Sequence, residues 1–237
     1  MNEVRFLIHR WINPDDEAST RALFLFLTVG VIISMVCSWI DPSFYSKILG
    51  NLNPMIVFPA SGAAGYLSLV YLQRFGLYFI SSSITGRKLL FYFSISIILG
   101  GMPVLIDIWQ NFPKDIHVLF PESLLFYPTI GLLAEIIFHL LPTTLLLAIF
   151  RSKIKNHSWM LILLVAAVEP FFQVVIGTET NQIVLRDVLV FLEVFIFGIV
   201  QMKAFLKYGF LAMFICRMGF YLTWHFIWGT MRLEIIW

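Results

Sequence analysis

Residues 123–150 read SLLFYPTIGLLAEIIFHLLPTTLLLAIF. An α-helix of that length rises far enough to cross a hydrocarbon core about 30 Å thick. Its only side chains that change charge near neutral pH, Glu135 and His139, fall at its middle. The stretch is therefore a membrane-spanning helix with an ionisable pair at mid-depth, and the rest of the chain is read outward from it.

Six further apolar runs flank it: Ala22 to Ile40, Pro54 to Leu72, Leu89 to Ile108, Ser158 to Ile176, Ile183 to Gln201 and Tyr208 to Met231. The 237 residues are 59% hydrophobic and 13% charged, against about a quarter charged in soluble domains. The mean hydropathy of +0.88 agrees. The expected fold is all-α, a polytopic transmembrane bundle of seven spans with no room for a soluble domain. Phe75 to Ile84 is too short to span and could extend the second helix or lie in the interface; counted as a crossing, it would make eight spans. With no repeat and no low-complexity linker, the bundle reads as one domain, residues 1–122 supplying N-terminal helices and 123–229 a core.

The net charge of +2 is carried in short loops and not on one face, which argues against nucleic acid as a partner. Cys37 and Cys216 lie inside apolar runs and read as buried thiols, with no disulfide expected. The first run follows the mixed-charge segment MNEVRFLIHRWINPDDEASTR and is not followed by small residues of a cleavage site, so no cleaved leader is expected. Basic loops give the sidedness. Arg5, Arg10, Arg21, Arg74, Arg87, Lys88, Arg151, Lys153, Lys155, Lys203 and Lys207 all fall on one side. The other side has Lys47, Lys114 and Arg232. This places the N-terminus in the cytoplasm and suits a multi-pass protein of the plasma (inner) membrane.

Ser61 to Gly65, SGAAG, is a small-residue patch that invites close approach of a neighbouring helix. Pro142 and Pro170 lie inside helices and should kink them, each within a few residues of an intramembrane glutamate.

Apart from Asp107 at one helix end, ionisable groups concentrate in the later helices: Glu135, His139, Glu169, Glu193 and Arg217. Each costs about 2.5 to 3.5 kcal/mol at the bilayer centre on insertion scales, so each should face the interior and find partners. Steps of four residues put Glu135 with His139, Glu169 with Gln173, and Arg217 with Tyr221 and His225 on three helix faces. These faces could meet in one cavity. Each also has a plainer reading. Glu135 and His139 could form a structural hydrogen bond, and Gln173 could satisfy a carbonyl freed by Pro170. Arg217 is most economically a counter-ion for Glu135, Glu169 or Glu193, with oxyanion binding as the other role. Tyr221 reads as a core aromatic with a bonded hydroxyl, His225 as either a belt residue beside Trp224 and Trp228 or a ligand, and Arg186 with Asp187 as a solvated pair.

Over residues 123–229 the order of these segments resembles the CPBP family, the CAAX protease and bacteriocin-processing intramembrane peptidases. The family's Glu-Glu-x-x-x-Arg motif aligns with Ala134 to His139, its Phe-x-x-x-His motif with Glu169 to Gln173, and its His-x-x-x-Asn motif with Arg217 to Tyr221. Phe197-Gly198 and Lys207-Tyr208-Gly209 resemble the approach to the third motif. The resemblance implies cleavage of a membrane-associated peptide or protein within the lipid bilayer. Glu135 would be the general base, and His139, Glu169 and His225 would hold water or a divalent metal such as zinc. Gln173, Arg217 and Tyr221 would complete the site. The departures are Ala134 for glutamate, and His139, Gln173, Arg217 and Tyr221 for arginine, histidine, histidine and asparagine. Neither glutamine nor arginine replaces a neutral imidazole as a metal ligand. The alternatives are an inactive relative that binds in the membrane as an immunity or scaffold protein, and a proton-coupled carrier using Glu135, Glu169, Glu193 and Arg217.

Overall fold

The structure, a computed structural model, describes residues 14–80, 84–154, 158–175 and 184–236. Among these the regular elements are all helical. Helix α1 is Pro14–Ile40, followed by a single turn at Ser46–Leu49, and α2 is Pro54–Leu72, continued as a 3-10 turn at Gln73–Phe75. Helices α3, Gly86–Leu99, and α4, Gly101–Gln110, form one rod hinged at Gly100. The opening stretch is α5, Ser123–Ala134, a π-helical segment Glu135–Leu140, and α6, Leu141–Ile154. Next come α7, Ser158–Ala166, and α8, Val168–Val175. The chain ends with α9, Leu185–Tyr208, α10, Phe210–Tyr221, a second π segment Leu222–Trp228, and α11, Gly229–Ile235.

Six rods are long and apolar enough to cross a membrane: 19–40, 54–75, 86–110, 123–150, 185–208 and 210–233. Their outward faces carry exposed Phe24, Ile32, Leu67, Ile98, Leu145 and Ile196, where a soluble protein would place charge. The chain is thus a multi-pass helical membrane protein. The expected fifth span, Ser158 to Ile176, is the main departure. Its described part is a shorter apolar helix, Trp159–Val174, broken at Ala167, and Ile176 lies outside the described residues. Pro170 explains the break, because it offers no N–H to the Ala166 carbonyl one turn earlier. The expected sixth span began at Ile183, also outside the described residues. Its helix runs on to Tyr208, so Lys203 and Lys207 sit on its last turns and not in a loop.

The short run from Phe75 is not a span over its described residues. It leaves the 3-10 turn through Gly76, at φ 78°, and passes beneath the start of α10. There Phe210 N donates to Tyr78 O at 3.0 Å and Leu211 N to Phe79 O at 2.9 Å. Two N–H groups that a helix start leaves without intrahelical partners are satisfied by this segment. Gly209 makes the approach possible: at φ 94°, with Tyr78 O 2.7 Å from where a Cβ would stand, it tolerates no side chain.

Small residues set the other close approaches, as the SGAAG patch suggests. A Cβ on Gly62 would lie 2.7 Å from the Val31 side chain on α1, and one on Gly65 would lie 3.0 Å from Ile136. A Cβ on Gly219 would stand 2.8 Å from the Phe93 carbonyl, so glycine there lets α10 close against α3. Two apolar clusters fill the interior. One contains Leu27, Leu69, Ile136, Leu140, Met202 and Met213; the other contains Tyr45, Phe126, Leu133, Phe197, Phe220 and Trp224.

One end of the bundle is locked by a buried arginine on α11. Arg232 donates through Nε and Nη2 to the two oxygens of Asp107, at 2.7 and 3.0 Å. Its remaining donors bond the carbonyls of Phe112 at 2.8 Å and of Pro113 and Lys114 at 3.0 Å. Trp228 Nε1 donates to the same carboxylate at 2.7 Å, and both charged side chains are fully buried. Arg232 is therefore a structural clamp and not the loop charge suggested by its position in the sequence. Asp187 is also buried and not solvated: its carboxylate accepts from Val184 N at 3.0 Å and caps the start of α9. Asp107→Ala should lower stability by about 3 to 5 kcal/mol, the usual cost of stranding one buried charge. Asp107→Leu with Arg232→Met should not restore it, because three carbonyls of the 112–114 turn lose their donor; denaturant unfolding in mixed micelles distinguishes the two outcomes.

Candidate functional site

Arg217 on α10 is the hub of the interior. Its Nη1 and Nη2 form a fork onto the two oxygens of Glu169, at 2.9 and 2.6 Å. Its Nε donates to Glu135 Oε1 at 2.5 Å. Weaker contacts run from Nη1 to the Tyr221 hydroxyl at 3.4 Å and from Nη2 to Gln201 Oε1 at 3.5 Å. Gln201 Nε2 also donates to Glu135 Oε1. One guanidinium thus joins the α5–π junction, α8, α9 and its own helix. Gly131 makes room for it, since a Cβ there would lie 3.3 Å from Arg217 Cδ. The guanidinium also stands over the rings of Tyr221 and Phe197, 5.7 and 5.9 Å from their centroids.

The π segment aims the glutamate. Pro142 has no N–H for the turn before it, and the chain responds by widening: Leu141 N donates to the Ile136 carbonyl, five residues back. Glu135 and His139 are both within the widened turn and are fully buried. His139 Nδ1 lies 3.1 Å from Glu135 Oε2, at ion-pair distance but outside hydrogen-bond geometry. Both ring nitrogens of His139, Glu135 Oε2 and Thr143 Oγ1 have no hydrogen-bond partner, and Thr143 is one more step of four along the same helix. Glu193 on α9 is also buried with Oε1 unpaired.

The structure therefore brings together Glu135, His139, Glu169, Arg217 and Tyr221. Gln173 touches the group only from the edge, being exposed with its amide 3.3 Å from Glu169 Oε1. His225 is engaged elsewhere. It stacks on Tyr127 with centroids 4.1 Å apart, and its Nδ1 is 3.0 Å from His117 Nδ1 in the loop after α4. The expected metal set of His139, Glu169 and His225 is not assembled, and among the described residues no three His, Cys, Asp or Glu side chains could hold an ion. The reason is electrostatic as well as geometric: the guanidinium already stands against Glu169, and it repels a second cation.

Gln201, His117 and the Asp107–Arg232 pair do not figure among the sequence candidates. Gln201 carried a signal, because it lies two steps of four beyond Glu193 on α9 and is a polar residue in an apolar helix. His117 carried none, since its partner is more than a hundred positions away.

Compared with protein-family models, curated proteins and solved structures, the chain matches none.

Removing the hub should be costly. Arg217→Met leaves two buried carboxylates without their cation and should cost about 3 to 5 kcal/mol. Arg217→Lys keeps the charge but loses the fork and should cost about 1 to 3 kcal/mol. Equal stability of the three proteins in mixed-micelle unfolding would refute the hub. The loop histidine gives a pH test. Burial, helped by Arg232 and Lys47 and opposed by Asp107, pushes His117 down from 6.5 to about 4. An opened loop binds a proton in that interval that the closed loop refuses. Loop closure should be fully stable above pH 6.5 and weaken as pH falls toward 4, by about 3 kcal/mol in all. Amide exchange at Val118 reads this directly, and His117→Phe should flatten the dependence.

Proposed function

We propose that the protein is a non-catalytic relative of the CPBP intramembrane peptidases, residing in the plasma (inner) membrane and binding a membrane-associated peptide or protein without cutting it. The observation that carries this reading is the Arg217 cross-link. A general base needs a free lone pair facing the substrate water. Glu135 Oε1 already accepts from Arg217 and Gln201, and both Glu169 oxygens accept from the Arg217 fork. An arginine stays protonated and offers no lone pair, so it neither ligates a metal nor takes up a proton. Arg217, both oxygens of Glu169 and one oxygen of Glu135 are thus committed to holding helices together. The excess of basic residues on one side of the bundle supports a cytoplasmic N-terminus for this binding protein.

A peptidase remains the second reading, for one specific reason. Glu135 Oε2 and both nitrogens of His139 are buried and make no hydrogen bond, and the carboxylate stands 3.1 Å from the ring Nδ1, an arrangement that suits a water-activating pair.

One experiment separates the two. The full-length protein and its Glu135→Gln variant are produced in cells with a photo-crosslinking residue at Gln173, and membrane proteins are profiled for new N-termini. The binding reading expects the same N-terminal profile for both proteins and a crosslinked partner of intact length. New N-termini present with the native chain and missing with Glu135→Gln would establish the peptidase instead.

A further inference from the structure

The loop between α4 and α5 has two properties that a loop in water does not need together. Over residues 116–120 its outward side chains are apolar: Phe120 is 70% exposed, Leu119 41% and Ile116 37%. Part of its polar backbone, chiefly over residues 112–115, is paired by the protein. Arg232 takes the carbonyls of Phe112, Pro113 and Lys114, and Lys47 Nζ takes that of Asp115 at 2.8 Å. The Phe112 amide donates to Asp107 at 2.7 Å and the Val118 amide to the Tyr127 hydroxyl at 2.7 Å. Irregular backbone survives next to hydrocarbon only where the protein satisfies it in this way.

The loop also continues surfaces that belong to the spans. Trp109, at the end of α4, is 64% exposed, and Leu124 and Leu125, at the start of α5, are 52% and 47% exposed. The Lys47 bond ties it to the segment that follows α1, and the last two residues of that helix, Trp39 and Ile40, are 80% and 74% exposed. Exposed tryptophans at the ends of spans mark the headgroup level. Lys114, Asp115 and Glu122 are exposed on the same loop, and such charges cannot pass into the hydrocarbon core. The depth is bounded on both sides.

We infer that residues 116–120 form a lip seated in the boundary between lipid headgroups and acyl chains, with Leu119 and Phe120 in contact with the upper acyl segments. The partner is the bilayer itself. The lip is held in shape by the Arg232 clamp, so it arrives at the membrane already ordered and gives up little conformational freedom on insertion.

The test uses the full chain in phosphatidylcholine and phosphatidylglycerol vesicles, with Cys37→Ala and Cys216→Ala, and a single Phe120→Cys or Leu119→Cys carrying an NBD fluorophore. Asp115→Cys is the reference position. The lip expects both probes to be quenched severalfold more strongly by lipids with a nitroxide high on the acyl chain than by aqueous iodide, and the reference to show the opposite order. Iodide quenching at 119 and 120 equal to that at 115 would overturn the inference. Protection from both quenchers would overturn it too, because protein and not lipid would then cover the lip. Because both side chains are exposed, the replacements leave the packing intact, and helicity with an unchanged melting transition verifies this.

Discussion

A guanidinium placed in the low-dielectric interior of a helical bundle has few stable arrangements. Desolvation costs several kcal/mol per ion and is recovered only when opposite charges and hydrogen-bond acceptors surround the group closely. Arg217 meets that requirement with Glu135, Glu169, Gln201 and Tyr221, which come from four separate helical segments. The requirement then propagates. Glu135 must face inward, which the π turn ahead of Pro142 permits. Glu169 must be carried on a helix whose break at Ala167 lets it turn toward the arginine. A Cβ at position 131 would press on Met218 Cε at 2.7 Å and on Arg217 Cδ at 3.3 Å, so glycine there leaves the arginine stem room.

The second buried arginine shows what a purely structural solution looks like. Arg232 spends its donors on Asp107 and three carbonyls, and Asp107 is further bonded by Trp228 and by the Phe112 amide. No side-chain atom of that pair is left over. Around Arg217 the accounting does not close, since Glu135 Oε2, His139, Thr143 and Glu193 retain unpaired polar atoms. Native interiors leave few such atoms, and those they leave tend to mark places where something else binds. The contrast separates a clamp from a site within one chain.

The sequence made the membrane class, most of the rods and the Arg217 counter-ion legible, because apolar run length and four-residue spacing are local signals. Glu135, Glu169 and Tyr221 follow from that spacing. The break in α7–α8 was half visible: Pro170 announced a kink but not that the helix would fall short. His117, Asp107 and Arg232 were not legible in the same way. Their partners are separated by more than a hundred residues, and nothing in a single sequence pairs a loop histidine with a helix histidine. Arg232 misled in a specific manner, since a basic residue near a helix end reads as a topological charge until its carbonyl partners are seen.

A buried guanidinium and a bound metal ion are two ways of holding a helical junction together, and they differ in the chemistry they leave open. In a site built on a metal, a divalent cation holds carboxylates and imidazoles from several helices in one place and keeps a position open for water. A guanidinium supplies positive charge at the same kind of junction, draws carboxylates from different helices together, and directs its donors in a fixed plane. It has no open coordination position and cannot exchange its proton at neutral pH. Arg217 therefore gives the helices a buried cation at their centre that offers neither an exchangeable proton nor an open ligand position. Gln173 and Tyr221 each add a hydrogen bond to the ion pair, the amide donating to Glu169 and the hydroxyl accepting from Arg217.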